Sequence, residues 1–199
     1  MAEGIFTRNV PGMTEKLKPS CIGIAGCGGL GSNAAVALAR AGVGRLIIAD
    51  FDRVELSNLN RQYFFLTDVG EYKVDALEKY LKSINPSIQV TKHKTKLDRK
   101  NISPIFQEAD ILLEAFDKAE SKKMLIDAWM KTFPERPIVS GNGLSNLGRT
   151  DELKVTRAGN IWFCGDMTTE MSQGLCSARV AIVANMQANV AIELLVTGG

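Results

Sequence analysis

Gly26-Cys27-Gly28-Gly29-Leu30-Gly31 has the spacing G-x-G-x-x-G, with an apolar run at 21–26 leading into it and an alanine- and leucine-rich stretch at 32–41 following. Glycines so placed permit a tight turn and let backbone N–H groups come close to a phosphate. A helix opening just beyond contributes unpaired N–H groups and the positive end of its dipole. Asp50 ends the next apolar run, 19 residues after Gly31, where a carboxylate accepts hydrogen bonds from ribose hydroxyls. The combination predicts a bound nucleotide and, taken alone, does not separate NAD from ATP.

The residues after Asp50 bear on that choice. Asp50-Phe51-Asp52-Arg53-Val54-Glu55-Leu56-Ser57-Asn58-Leu59-Asn60-Arg61-Gln62 is a polar loop, whereas a dehydrogenase continues into a helix and needs no Arg–Gln pair. Arg61 offers a cationic fork suited to triphosphate oxygens. Lys73, early in the helix that follows Gly70, adds a second positive charge on the same side of the sheet. Asp117, just past the fourth strand, sits where open α/β sheets bind ligands and where a carboxylate can hold Mg²⁺. Each residue alone reads as a surface ion pair. Four together at strand–helix junctions of one sheet edge predict a triphosphate site.

The elements that must position them follow from periodicity. Residues 1–19 are polar and irregular, with a turn at Pro11-Gly12 and a short helix at 13–18. Buried strands are expected at 21–26 and 45–50, with a helix at 32–41 between them that stops at Gly42. Val74, Leu77, Tyr80, Leu81 and Ile84 predict an amphipathic helix over 70–84, ended by Asn85-Pro86. A strand at 88–91, a strand at 109–115, a helix at 120–130 and a strand at 137–140 complete the alternation. Strands separated by helices predict an α/β, Rossmann-like, mostly parallel sheet covered on both faces. Beyond Gly141 the pattern changes to an antiparallel hairpin, 152–157 and 160–164, a polar loop at 165–174 and a long helix at 178–195. Gly198-Gly199 reads as a frayed helix end. One domain over 1–199 is expected: an arm at 1–19, a nucleotide-binding core at 20–140 and a C-terminal lobe at 141–199.

Bulk composition excludes several classes. The 199 residues are 45% hydrophobic and 23% charged with a net charge of +2, which argues for a globular protein and against nucleic acid or an anionic membrane as partner. The N-terminus lacks a cationic segment followed by a long apolar run, so a cytoplasmic location is expected. Cys21, Cys27, Cys164 and Cys176 form no C-x-x-C pair and His93 is the sole histidine, so no zinc site is predicted.

The set Gly26-x-Gly28-Gly29-Leu30-Gly31, Asp50-x-Asp52, Ser57-Asn58-Leu59-x-Arg61-Gln62, Gly70-x-x-Lys73 and Asn85-Pro86 closely resembles the ThiF/MoeB/HesA family, relatives of the ubiquitin-activating enzymes. The likeness runs from about Arg8 to the C-terminal helix, and the length is similar to the short ThiF subgroup of thiamine biosynthesis. The resemblance implies ATP-dependent adenylation of the C-terminal Gly-Gly carboxylate of a small ubiquitin-like sulfur-carrier protein. It places the nucleotide on Gly26, Gly28, Gly29, Gly31, Asp50 and Asp52, with Asn58 and Gln62 lining the site. Arg61 and Lys73 would meet the phosphates and Asp117 would hold Mg²⁺, these three forming the catalytic set. The family often forms homodimers in which an N-terminal arginine reaches the partner's ATP, and Arg8 is the match.

Two departures stand out. The zinc-binding cysteine pairs of many members are absent, so the C-terminal lobe is expected to be held by packing alone. The thiol that links covalently to the carrier in several relatives has two candidates, Cys176 after the 165–174 loop and Cys164 after a strand; an incidental buried thiol is the plainer account of either. Asn142, Gly143 and Leu144 are expected to line part of a groove for the carrier's tail. The rivals are an NAD-dependent oxidoreductase, a noncatalytic nucleotide-binding partner of a carrier protein, and an enzyme that modifies RNA by a similar adenylation. The first lacks a His–Asp proton donor, the second would be expected to lose Arg61, Lys73 or Asp117, and the third lacks an added basic surface.

Overall fold

A computed structural model describes residues 2–169 and 171–198, so Gly199 of the expected frayed end lies outside the described residues. The chain runs α1 (Met13–Leu17), β1 (Cys21–Ala25), α2 (Gly29–Ala41), β2 (Arg45–Ala49), α3 (Lys73–Ile84), β3 (Gln89–His93), α4 (Ile102–Phe106), β4 (Ile111–Glu114) and α5 (Ala119–Thr132). It continues through β5 (Ile138–Gly141), β6 (Lys154–Ala158), β7 (Ile161–Gly165) and α6 (Ser177–Thr197). The strands form one sheet in the order β3-β2-β1-β4-β5-β7-β6, parallel except for β6. Between β1 and β4 the connections part to opposite sides, the place where ligands bind in such sheets.

Apolar residues on both faces explain why β1 and β4 are central. β1 is buried throughout, and Ile24 pairs with Ile48 on one side and Leu113 on the other. One face is covered by α2, α3 and α6, where Ala34, Ala35, Leu38 and Ala39 let α2 pack closely on α6. The other is covered by α4 and α5 around Phe106, Leu125 and Trp129, the last donating its ring N–H to the Arg136 carbonyl at 3.1 Å.

The expected elements are present with instructive shifts. Helix α2 starts at Gly29 rather than 32, because the glycine turn itself supplies the first helical residues. Helix α4 was not expected, since Pro104 reads as a breaker; in the first turn of a helix the missing N–H is one that has no partner in any case. The hairpin does not stand apart as a lobe. β7 pairs in parallel with β5, Val139 opposite Trp162, and extends the main sheet.

Helix α6 is long and apolar enough, by length and composition, to cross a bilayer, a feature passed over in the sequence. Its buried positions Val180, Val183, Ala184, Gln187, Ala188 and Ala191 recur at helical spacing against α2 and the sheet. Gln187, in mid-helix, donates to the Glu114 and Val139 carbonyls at 2.9 Å each. Those contacts are those of a core helix.

Candidate functional site

The carboxyl ends of β1, β2, β4 and β5 open into a cleft of about 760 Å³, within the range of small-molecule sites. Gly26, Gly28 and Gly29 line it beside Asp50. The Cys27 N–H donates to Asp50 Oδ2 at 2.6 Å and the Asp52 N–H to Oδ1 at 2.8 Å, so one carboxylate ties the glycine turn to the end of β2. Burial raises the Asp50 carboxyl above the usual carboxylate range, although these two amides draw it back. Gly31, expected at the nucleotide, lies outside the cleft lining. A Cβ there would stand 1.8 Å from the Gly26 carbonyl oxygen, so its task is to let α2 close onto the turn.

The polar loop is anchored to α2 from below. Asn58 Oδ1 accepts the Glu55 N–H at 3.1 Å, Asn33 donates to the Arg61 carbonyl at 2.9 Å, and the Tyr63 N–H donates to Ser32 Oγ at 2.9 Å. Arg61 thereby sits over the start of α2, its stem within 3.6 Å of where a Gly29 Cβ would be. Its guanidinium donates to the Ser57 carbonyl at 3.0 Å and to Asn60 Oδ1 at 2.8 Å. Lys73, 6% exposed at the head of α3, reaches Asp52 at 3.0 Å. Gln62 is buried in the lining, and its Oε1 has no partner among the described residues. A buried carboxamide atom without a partner is costly unless a ligand completes it.

The floor was not legible as a motif. Glu114, fully buried at the end of β4, accepts from Lys122 Nζ at 2.8 Å, Ser140 Oγ at 2.6 Å and the Phe116 N–H at 2.7 Å. Lys122 donates also to the Gly141 carbonyl at 2.7 Å. This network ties β4, β5 and α5 together under the turn that exposes Asp117 to the cleft. Arg53, Lys96 and Lys118 also line the cleft and were passed over in the sequence. A local signal existed for Arg53 and Lys118, adjacent to Asp52 and Asp117, but none for Lys96.

The far wall is built from residues 142–145 with Thr169, Leu175 and Val180, so Asn142, Gly143 and Leu144 do face the cleft. Packing alone does not hold this region, contrary to expectation. Arg179 and Asp166, 3% and 1% exposed at their side chains, form a buried ion pair. Burial opposes ionisation of Asp166, but the amides of Thr168 and Thr169, the Thr169 hydroxyl and Arg179 outweigh it and hold the carboxyl at about 2.

The two thiols part company. Cys164 is fully buried and desolvation pushes it up to about 12, a setting that disfavours the thiolate. Cys176 is half-buried at the N-terminal end of α6. Cys27 is buried inside the glycine turn and held well above the usual thiol range by desolvation. Arg8 is exposed and does not line the cleft of its own chain, and Asn9 beside it donates to the Ala41 carbonyl at the opposite end of α2. Among the described residues, no three His, Cys, Asp or Glu side chains gather as a metal site.

The sequence model of the ThiF family matches residues 5–198. The adenylyltransferase and sulfurtransferase MOCS3 of Culex quinquefasciatus is 38% identical over 135 residues, covering 67% of this chain and 30% of that protein. The adenylyltransferase and sulfurtransferase UBA4 of Scheffersomyces stipitis is 35% identical over 150 residues, covering 75% of this chain and 33% of that one. The chain thus spans about a third of the length of these relatives. Among solved structures, E. coli tRNA N6-threonylcarbamoyladenosine dehydratase, TcdA, superposes with a TM-score of 0.88 at 19% identity, covering 98% of this chain and 94% of that chain. At that identity the likeness is one of fold. Taken with the match along nearly the whole sequence, it leaves one conclusion: the chain belongs to the ThiF family.

Proposed function

We propose that this chain binds ATP in the cleft and uses it to adenylate a substrate carboxylate, releasing pyrophosphate. The observation that carries the reading is that Arg61 and Lys73 line one cleft with the glycine turn and Asp50. A carboxylate is already ionised near neutral pH, so the step needs no general base. A carboxylate oxygen attacks the α-phosphorus in line, the bond to the bridging oxygen breaks, and pyrophosphate leaves with the electron pair. The protein must align two anions and offset charge on the phosphates, the electrostatic task for which Arg61 and Lys73 are suited. Asp50 would take the ribose, and Gln62 would complete its hydrogen bonding on the bound nucleotide.

The donors fit magnesium in its usual manner with nucleotides, one or two carboxylates plus phosphate oxygens. Asp117 would hold the ion, which would supply further charge neutralisation at the phosphates.

The favoured substrate is a small ubiquitin-like, ThiS-like sulfur carrier ending in Gly-Gly, ahead of sulfur transfer in thiamine biosynthesis. The names of the adenylyltransferase and sulfurtransferase relatives, and the place of Asn142, Gly143 and Leu144 in the cleft lining, support it. The chain would act as a homodimer, with Arg8 serving the partner's nucleotide, since it is remote from its own. A second reading, a tRNA threonylcarbamoyladenosine group as substrate, draws on the near-complete coverage of TcdA. Mass spectrometry after incubation with Mg-ATP distinguishes them: a carrier that gains an adenylyl group supports the first, and a change confined to tRNA refutes it in favour of the second.

A further inference from the structure

The wall facing the glycine turn is under unusual backbone constraint. Among the described residues, the non-glycine positions with positive φ are Asn146 (72°), Arg149 (49°) and Met167 (65°), all in the two loops of this wall. Such conformations persist where surrounding structure over-determines them. Here that surrounding structure combines backbone bonds between the loops with one arginine and one aspartate.

The two loops are laced together first by backbone. The Asn142 N–H donates to the Cys164 carbonyl at 2.8 Å and the Asp166 N–H to the Gly143 carbonyl at 3.1 Å. Gly143 has φ +73°, and a Cβ there would lie 2.1 Å from Asp166 Oδ1. Asp166 then takes the Thr168 and Thr169 amides at 2.7 and 2.8 Å with Oδ1 and presents Oδ2 to Arg179. The other arm of the Arg179 guanidinium donates to the Gly148 and Arg149 carbonyls. One side chain on the first turn of α6 thus grips both loops. The next residue, Val180, packs directly on Gly29, 2.9 Å from where a Cβ would stand. The same helical turn that clasps the wall therefore abuts the phosphate-binding turn.

We propose that Arg179 and Asp166 are a positioning pair for adenylyl transfer: they set the 142–149 wall, along which an extended carboxyl-terminal peptide tail lies, at a fixed distance from the glycine turn. The proposal rests on the adenylation reading of the cleft. Neither residue touches the reacting atoms. They act by holding the tail in register with the α-phosphate, where small displacements of aligned reactants have large effects on rate.

The test uses the full chain with a recombinant ubiquitin-like carrier ending in Gly-Gly, reading KM and kcat in carrier-dependent pyrophosphate exchange and ATP affinity by calorimetry. Arg179→Lys keeps the charge and loses the fork. The paired change Arg179→Met with Asp166→Leu replaces the ion pair by apolar groups, a type of swap that commonly preserves folding. The expected result for the folded double variant is ATP affinity within about 2-fold of wild type, carrier KM raised about 10-fold and kcat lowered about 10-fold or more, with Arg179→Lys intermediate. A folded double variant that matches wild type in KM and kcat overturns the clasp alone. Silence of the wild-type protein toward every carrier overturns the carrier reading of the cleft and this proposal with it.

Discussion

One buried aspartate lines the cleft at the glycine turn and another lies within the structure of the far wall, and their carboxyls are displaced in opposite directions. Asp50, at the glycine turn, is raised by burial in spite of two amide hydrogen bonds. Asp166, in the far wall, is lowered to about 2 because two amides, a hydroxyl and Arg179 outweigh its burial. A depressed carboxylate stabilises the fold at neutral pH, whereas a raised one opposes it. The far-wall carboxylate is therefore satisfied without a ligand, although Arg179 Nε beside it has no partner among the described residues. The nucleotide-wall carboxylate is disfavoured, and beside it in the cleft lining Gln62 holds a buried oxygen without a partner among the described residues. A disfavoured carboxylate in the cleft lining is where a ligand has most to add.

The largest test concerns the floor on which both walls stand. Glu114→Ala would leave the Lys122 ammonium with the Gly141 carbonyl as its remaining partner among the described residues and release the Ser140 hydroxyl. Breaking one side of a buried ion pair is expected to cost about 3–5 kcal/mol of stability, read by chemical denaturation. A loss below about 1 kcal/mol would mean that the two walls do not share this support.

Next in size is the nucleotide wall itself. Arg61→Ala is expected to slow pyrophosphate exchange by about 100-fold with little change in denaturation midpoint, because its guanidinium bonds within its own loop. An exchange rate near that of wild type would show that Arg61 does not stabilise the transition state, and the contrast between the two walls would lose its catalytic meaning.

The two walls also differ in how far they can be read from sequence. On the nucleotide side the glycine turn, Asp50, Arg61 and Lys73 occupy fixed offsets, because backbone geometry sets where the end of one strand meets the start of the next helix. The parallel order of the central strands follows from the same alternation. On the other side, Arg179 and Asp166 belong to different elements joined by an irregular loop, and Glu114 finds Ser140 and Lys122 only once β4, β5 and α5 are packed. Pairing across such spacings leaves no periodicity to detect. For the same reason the hairpin is legible as a hairpin, while the parallel pairing of β7 with β5 is not. Gly31 marks a limit of the other kind, a motif residue that close packing of α2 on the turn already requires.

The pH dependence of stability separates the walls more finely. Asp166 has a folded-state carboxyl near 2, below the ordinary value of 3.8, so its stabilising contribution is complete above the ordinary value and is lost as pH falls toward 2. Asp50 works the other way, its raised carboxyl losing stabilisation as pH rises through the folded value. Thermal melts of wild type should therefore fall more steeply between about pH 4 and pH 2 than those of Asp166→Asn, by on the order of 2 kcal/mol in unfolding free energy. Parallel curves would show that Asp166 does not carry the acid limb.

The smallest expected effect is at Cys176, where the far wall meets the start of α6. Adenylate formation needs an ionised carboxylate and aligned phosphates, and no step before pyrophosphate release calls for a thiol. Serine is a good residue at a helix N-terminus, so Cys176→Ser should leave both the helix and the Arg179 clasp intact, with exchange within about 2-fold of wild type. Any role for the thiol must come later, when its sulfur attacks the acyl carbon and AMP departs. That step is read separately, as a covalent carrier adduct on a gel, cleaved by added thiol. An adduct in wild type that Cys176→Ser abolishes, with exchange unchanged, would assign Cys176 to capture. A tenfold loss of exchange itself would instead place the residue among those that align the substrate, and would extend that set to the first turn of α6.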